Sequence, residues 1–182
     1  MKNWQKFIIM AFFIIGLVTA SACVNSSGSN TAQISSVTKQ SPTPTSIIYQ
    51  NSEYRQARVA AFNSIASVLE DIMIDIEYEK MEAGRDDAIN LQIQAKNHYD
   101  RLNSLKVSED YNQLKEYDLK VLYNAKKYGE SIELGVRAAL NGNEAEGVKI
   151  VENGAKYRDD SEFYLAKANK ERDRLIGLGL YS

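Results

Sequence analysis

The distribution of proline and the spacing of apolar residues most constrain what this chain can fold into. Both prolines, Pro42 and Pro44, precede Ile47, so the chain from Ile47 onward contains none. Because proline interrupts helices, its absence permits long ones. In this part apolar residues recur every three or four positions, which places them along one face of an α-helix. No useful stretch alternates with the period of two typical of a strand, so the sequence predicts an all-α domain.

The apolar repeat falls into four segments, which predicts four helices. The first includes Phe62, Ile65, Leu69, Ile72 and Ile76. Glycine commonly follows a helix and Asp, Ser or Asn commonly precedes one. On this basis Gly84 ends the first helix, Asp86 or Asp87 begins the second, Ser108 begins the third, and Asn141-Gly142 ends it. Short connections favour antiparallel neighbours, which predicts an up-down-up-down four-helix bundle.

The predicted helices differ in length, and this difference predicts a protruding hairpin. The second has about 19 residues, or about 28 Å, whereas the third and fourth have about 33 each, or about 50 Å. The overshooting segments, 129–141 and 143–155, are rich in glycine and alanine. Glycine weakens a helix by about 1 kcal/mol relative to alanine, so its use here indicates close helix approach. A symmetric bundle with a bent first helix is the alternative.

The first 22 residues have the parts of an export signal. Lys2 and Lys6 precede an apolar run at 7–18, and small residues lead from there to Cys23. A membrane-spanning helix needs about 20 apolar residues, more than this run provides. The pattern is therefore typical of a signal peptide.

Ala20-Ser21-Ala22-Cys23 resembles a lipobox, the processing site of prokaryotic lipoproteins. The resemblance implies cleavage between Ala22 and Cys23 and a diacylglycerol lipid on the cysteine. It covers only the signal region, and most lipoboxes have leucine where this chain has Ala20. Ordinary secretion would use the same bond, and an uncleaved anchor is a third possibility. A free thiol at this position has no evident use, so we expect lipidation and attachment to the extracytoplasmic face of the cell membrane.

Three regions follow from these patterns. Residues 1–22 are the predicted signal peptide, 23–46 the lipidated cysteine with its tether, and 47–182 the helical domain. The tether is rich in Ser, Thr and Asn and has too few apolar residues to offset ordering entropy, so we expect it to be disordered. A flexible chain of this length spans roughly 25 Å.

Composition excludes several classes of function. Without Lys2 and Lys6 of the predicted signal peptide, 20 basic residues are scattered among 24 acidic ones, and no basic stripe suggests a nucleic-acid partner. One cysteine allows neither an internal disulfide nor a cysteine-based zinc site. One histidine cannot supply the paired Glu-x-x-His motifs of di-iron bundles, and the acidic run at 71–87 lacks the pattern of a calcium loop. We therefore expect no metal, no cofactor, no catalytic residue and no enzymatic activity.

His98, the chain's histidine, and Asp118 fall on the apolar faces of the second and third predicted helices. Antiparallel pairing about Val107 would bring them close, which predicts a polar pair in or beside the core. The carboxylate would then raise the pKa of the histidine. We interpret the pair as structural, since no Ser or Cys nucleophile accompanies it. A catalytic or pH-sensing role is the alternative.

Six of the eleven tyrosines crowd the last two predicted helices: Tyr111, Tyr117, Tyr123, Tyr128, Tyr157 and Tyr164. Tyrosine is common on recognition surfaces and equally suited to the boundary of a modest core. The sequence thus predicts a membrane-anchored, non-enzymatic lipoprotein whose helical domain binds a protein, an envelope component or a small ligand. The alternatives are a ligand-sensing bundle acting through a membrane partner and a secreted structural spacer.

Overall fold

The computed structural model describes residues 49–181, which form four α-helices. These are α1 (Asn51–Glu77), α2 (Met81–Ser104), α3 (Asn112–Leu140) and α4 (Glu144–Gly177), with a 3₁₀ turn, η1 (Glu109–Tyr111), before α3. This part of the chain contains no strand, so the predicted all-α fold of four helices is confirmed. The predicted signal peptide, Cys23 and the tether lie outside the described residues. Within 49–181 no helix is long and apolar enough to cross a membrane.

Three of these helices end in a Schellman motif, in which two amide groups beyond the helix bond back to its last turn. At the end of α3, Asn143 donates to the carbonyl of Ala138 (2.9 Å), and Gly142 has a φ of 84°. Glycine suits this left-handed conformation because it has no Cβ. The prediction that Asn141-Gly142 ends the third helix is confirmed.

The prediction that Gly84 ends the first helix is wrong. The Schellman turn after α1 places Glu79 in the left-handed region, with a φ of 58°, and Gly84 lies in the first turn of α2. A Cβ on Gly84 would lie 3.1 Å from Cγ1 of Ile76. The glycine therefore allows close packing of α2 on α1. The predicted caps Asp86 and Asp87 lie inside α2.

The core is formed by the predicted helical faces, except in α1, whose buried face is rotated about the helix axis relative to the prediction. In α2 the predicted positions Ala88, Leu91, Ala95 and Leu102 are all buried. In α1 the residues Ile65, Ile72 and Ile76 are buried as predicted. Phe62 and Leu69 are only partly buried, and Ala61 and Val68 occupy the more central positions. Phe62 and Leu69 are thus left to line a groove.

The glycines of α3 and α4 meet along one seam. A Cβ on Gly135 would lie 2.5 Å from Cγ2 of Val151 and 2.8 Å from the carbonyl oxygen of Gly147. Gly154 packs in the same way against Ser131. Separations this small leave no room for a methyl group, so the predicted close approach of the third and fourth helices is confirmed.

The predicted start of a protruding segment at residue 129 is wrong. A Cβ on Gly129 would lie 3.0 Å from the carbonyl oxygen of Ala88, so this glycine packs on α2. Because α2 begins at Met81, earlier than predicted, it continues beyond its contact with Gly129.

Candidate functional site

A mainly apolar groove of about 80 Å³ lies between α1, α3 and α4. Successive turns of the three helices line it, and its charged residues and its serine all come from α4. The lining residues are Phe62, Ile65, Ala66 and Leu69 on α1, Val121, Ala125 and Tyr128 on α3, and Arg158, Ser161, Glu162 and Leu165 on α4. Such a groove, apolar with a few polar groups on one wall, suits a small apolar molecule that carries a hydrogen-bonding group.

The polar wall of the groove is only partly engaged with the protein. Ser161 donates a hydrogen bond to the carbonyl of Val121 (3.3 Å). Oε1 of Glu162 is buried and has no hydrogen-bond partner within residues 49–181. Burial raises the pKa of Tyr128, and the nearby Arg158 opposes that rise. The groove therefore offers a carboxylate acceptor beside neutral aromatic and aliphatic surface.

A buried polar cluster of Tyr54, Arg58 and Asp118 lies beside the core. Oδ2 of Asp118 accepts a hydrogen bond from the Tyr54 hydroxyl (2.6 Å) and one from Nε of Arg58 (2.8 Å). Asp118 is 0% exposed and Arg58 5% exposed. Burial raises the pKa of Asp118, while the Arg58 guanidinium and the two hydrogen bonds oppose the rise. Because Arg58 also donates to Asn169 (3.4 Å), the cluster ties α1, α3 and α4 together.

The helical period explains how this cluster is assembled. Tyr54 and Arg58 are four residues apart, so they lie one above the other on the face of α1 that meets α3. Asp118 was identifiable from sequence as a polar residue on an apolar face. Arg58 was missed because it lies in a polar stretch, 49–58, before the apolar repeat that marks the first helix.

The predicted pairing of His98 with Asp118 is not what the structure contains. Asp118 bonds to α1, and its other oxygen, Oδ1, has no hydrogen-bond partner among the described residues. Nε2 of His98 is likewise buried without a partner there. Burial lowers the pKa of His98, the opposite of the predicted direction, because the expected carboxylate is absent.

The lowered pKa of His98 predicts a pH-dependent stability. A histidine that is harder to protonate in the folded state stabilises the fold above its ordinary pKa of 6.5, and this contribution is lost as the pH falls through the folded-state value. When the pH is lowered from about 7 to about 5, the free energy of unfolding should fall less for His98→Leu than for the unsubstituted chain. Urea denaturation at several pH values measures this, and parallel curves for the two proteins would contradict it. The same carboxylates titrate in both proteins, so their effect cancels when the two free energies of unfolding are subtracted.

The structure divides the six predicted contact tyrosines. Tyr111 is 1% exposed and Tyr128 is 6% exposed, so both belong to the core and not to a surface. Tyr117 and Tyr157 pack partly buried against the core. Tyr123 is 52% exposed. Tyr164 is half-buried and stacks on Tyr117, with ring centroids 6.3 Å apart.

Tyr111 organises the end of the domain. Its ring meets that of Tyr54 edge-on at 6.3 Å and stacks on that of Tyr181 at 6.0 Å. Its hydroxyl accepts a hydrogen bond from Arg55 (3.0 Å) and donates one to the carbonyl of Leu180. The buried cluster is therefore closed by the segment that follows α4.

A partly exposed patch of aromatic and lysine side chains lies across α3 and α4. We name it the aromatic–lysine patch, and it consists of Tyr117, Lys120, Phe163, Tyr164 and Lys167. The Lys167 ammonium lies 4.4 Å from the Phe163 ring centroid and 5.7 Å from that of Tyr117, and Lys120 lies 5.0 Å from that of Tyr164. Phe163 is 54% exposed and did not stand out in the sequence.

Within residues 49–181 no group of three or more His, Cys, Asp or Glu side chains could hold a metal ion. No protein-family model, curated protein or solved structure matches the chain.

Proposed function

We propose that the chain is an exported lipoprotein, held at the extracytoplasmic face of the cell membrane by a lipid on Cys23. Its helical domain binds a partner and catalyses no reaction. The observation that carries the proposal is the resemblance of Ala20-Ser21-Ala22-Cys23 to a lipobox, directly after a short apolar run with lysines before it. A tether at 24–46 then separates the anchor from the domain.

Metabolic labelling with a clickable fatty acid tests the anchor. We expect label on the unsubstituted protein and its recovery with membranes. Cys23→Ser lacks the thiol that accepts the lipid, but Ala20 and Ala22 still suit general secretion. It should therefore be unlabelled and appear in the medium. Unlabelled wild-type protein in the medium would leave only ordinary secretion.

The domain is an up-down-up-down antiparallel bundle in which a short α3–α4 hairpin tip extends beyond α2. Three observations support this topology. The start of α1 meets the end of α2, where Gln50 bonds to Lys106 (2.7 Å). Gly129 of α3 packs against Ala88 near the start of α2. Ser161 of α4 bonds to Val121 in the first half of α3.

The aromatic–lysine patch is the contact surface for the partner. Exposed aromatic rings provide apolar area at low entropic cost, and lysines lying over them add charge. Because Tyr117 and Tyr164 are held by stacking and by the helices beneath, the surface is organised before binding. The partner class that this suits is a protein or an envelope component with apolar and acidic groups.

Photo-crosslinking in the native membrane tests the contact surface. A photoreactive residue at Phe163 should yield a cross-linked species that mass spectrometry can identify. Tyr78 is a matched control, since it is exposed and has Lys80 over its ring at 5.9 Å, but it lies at the α1–α2 turn. The same species from both positions, or none from Phe163, would contradict the assignment.

The groove favours a ligand-sensing bundle as the second candidate. Its support is the buried, unpartnered Oε1 of Glu162 facing apolar walls. A ligand in the groove should raise the melting temperature of the domain. Ala66→Leu, which fills a half-buried position of the lining, should abolish that rise while leaving the fold intact.

A further inference from the structure

Three segments of the domain meet at one end. The start of α1 bonds to the loop before α3, where the backbone amide of Gln50 donates to the carbonyl of Lys106 (2.7 Å). The end of α4 reaches the same place, since Arg174 donates to the carbonyl of Asp110 (3.1 Å). We call this the near end, and it comprises residues 49–51, 106–111 and 174–181.

The segment at the end of α4 presents apolar side chains to solvent at the near end. Ile176, Leu178 and Leu180 are all exposed, Leu178 by 58%. The residues on either side of this set turn inward, with Leu175 fully buried and Tyr181 stacked on Tyr111. We name Ile176, Leu178 and Leu180 the apolar tip.

The backbone amides of the apolar tip are hydrogen-bonded within the domain. The amide of Leu178 donates to Arg174 (3.1 Å), that of Gly179 to Ile176 and that of Leu180 to Leu175 (both 2.9 Å). The carbonyl of Leu180 accepts from the Tyr111 hydroxyl. A segment can enter a lipid environment at low cost only when its backbone groups are bonded internally. The amides of the apolar tip and the carbonyls of Ile176 and Leu180 meet that condition, which lowers the cost of entering lipid.

We propose that the apolar tip inserts into the surface of the lipid bilayer, so that the near end faces the membrane; this rests on the lipid anchor proposed above. The chain leading from Cys23 enters the domain at residue 49, within the near end. A flexible chain as long as the predicted tether 24–46 would span roughly 25 Å, whereas α4, with 34 residues, is about 51 Å long. The anchor therefore holds the near end closest to the lipid. Tethering at such a distance raises the local concentration enough for a weak contact to persist.

A tryptophan reporter tests this insertion. Trp4, the chain's tryptophan, lies in the predicted signal peptide, so the processed lipoprotein with Leu178→Trp carries a single indole. The lipidated protein is reconstituted in vesicles of equal parts phosphatidylglycerol and phosphatidylethanolamine, with or without acyl-brominated phosphatidylcholine. Interfacial segments bury apolar residues roughly 5–10 Å deep, so bromine should lower the emission about twofold. Leu140→Trp in the same background is the control, because residue 140 lies about 42 Å along α3 from the near end. Its emission should not change.

The outcomes separate the inference from the anchor. Protein that carries fatty acid on Cys23 and floats with vesicles, but shows no quenching of Leu178→Trp, overturns the insertion and leaves the anchor intact. Equal quenching of both variants also overturns it, since the domain then lies on its side. Absence of fatty acid overturns the anchor and the insertion with it. An emission shift without vesicles, together with a dimer mass, means that the apolar tip binds a second copy and likewise overturns the proposal.

Discussion

Replacing Asp118 with alanine is expected to lower the free energy of unfolding by about 3–5 kcal/mol, the usual result of removing one partner of a buried ion pair. The substitution leaves the Arg58 guanidinium, 5% exposed, without its carboxylate. The attraction of Asp118 raises the pKa of Arg58 against the desolvation that would lower it, so this side chain stays charged. Tyr54 also loses the acceptor of its hydroxyl. Urea denaturation followed by circular dichroism measures the loss.

Two further variants show whether the loss comes from the uncompensated charge. The double substitution Arg58→Met with Asp118→Leu removes both charges and keeps similar volume, so it should be less damaging than Asp118→Ala alone. Asp100→Ala breaks an exposed pair with Lys96 and should have little effect. If Asp118→Ala were as mild as Asp100→Ala, the cluster would not be holding α1 against α3.

Replacing Gly147 with alanine is expected to lower the free energy of unfolding by about 1–3 kcal/mol, the range of an overpacked core. Alanine stabilises a helix by about 1 kcal/mol relative to glycine, so helix propensity alone would predict that Gly147→Ala raises the free energy of unfolding. The reason is that the new methyl group would collide with the carbonyl oxygen of Gly135, which is backbone and cannot rotate away. This clash can be removed only if α3 moves away from α4.

The matched control for this prediction is Gly177→Ala. Gly177 is the last residue of α4, and a Cβ there would meet nothing within 4 Å. This variant should be neutral or slightly more stable in a thermal melt. If Gly147→Ala raised the melting temperature as well, the two helices would be farther apart at the seam than described.

The helices could be predicted from the sequence because apolar periodicity and glycine at helix ends depend only on residues close together in the chain. Ile72 and Ile76 recur at helical spacing, and Gly142 occupies the left-handed position that ends α3. The turn after α1 could not be predicted, since it is formed by Glu79, a residue type with no preference for that conformation. Gly84 was misassigned because close packing and helix termination both require a residue without a side chain.

The candidate sites were harder to predict because they depend on contacts between distant helices. Asp118 was identified, but its partners Tyr54 and Arg58 are 64 and 60 residues away and follow no local repeat. The groove depends on Phe62 and Leu69 being displaced from the core by Ala61 and Val68, a rotation of α1 that periodicity alone does not determine. The burial of Tyr111 likewise depends on Tyr181 folding back from the end of α4.

The hydrogen bond between Arg58 and Asn169 has a consequence for the order in which the domain forms. Its partners are 111 residues apart, whereas Ser131 and Gly154 of the glycine seam are close in sequence. Closing a short loop costs less conformational entropy than closing a long one. Contacts between residues close in sequence therefore tend to form before contacts between distant residues. An exported chain that emerges N-terminus first would have Arg58 and Asp118 outside while Asn169 was still in transit. If the chain is exported as proposed, the last helix to arrive would complete the buried cluster, and folding would finish only after translocation.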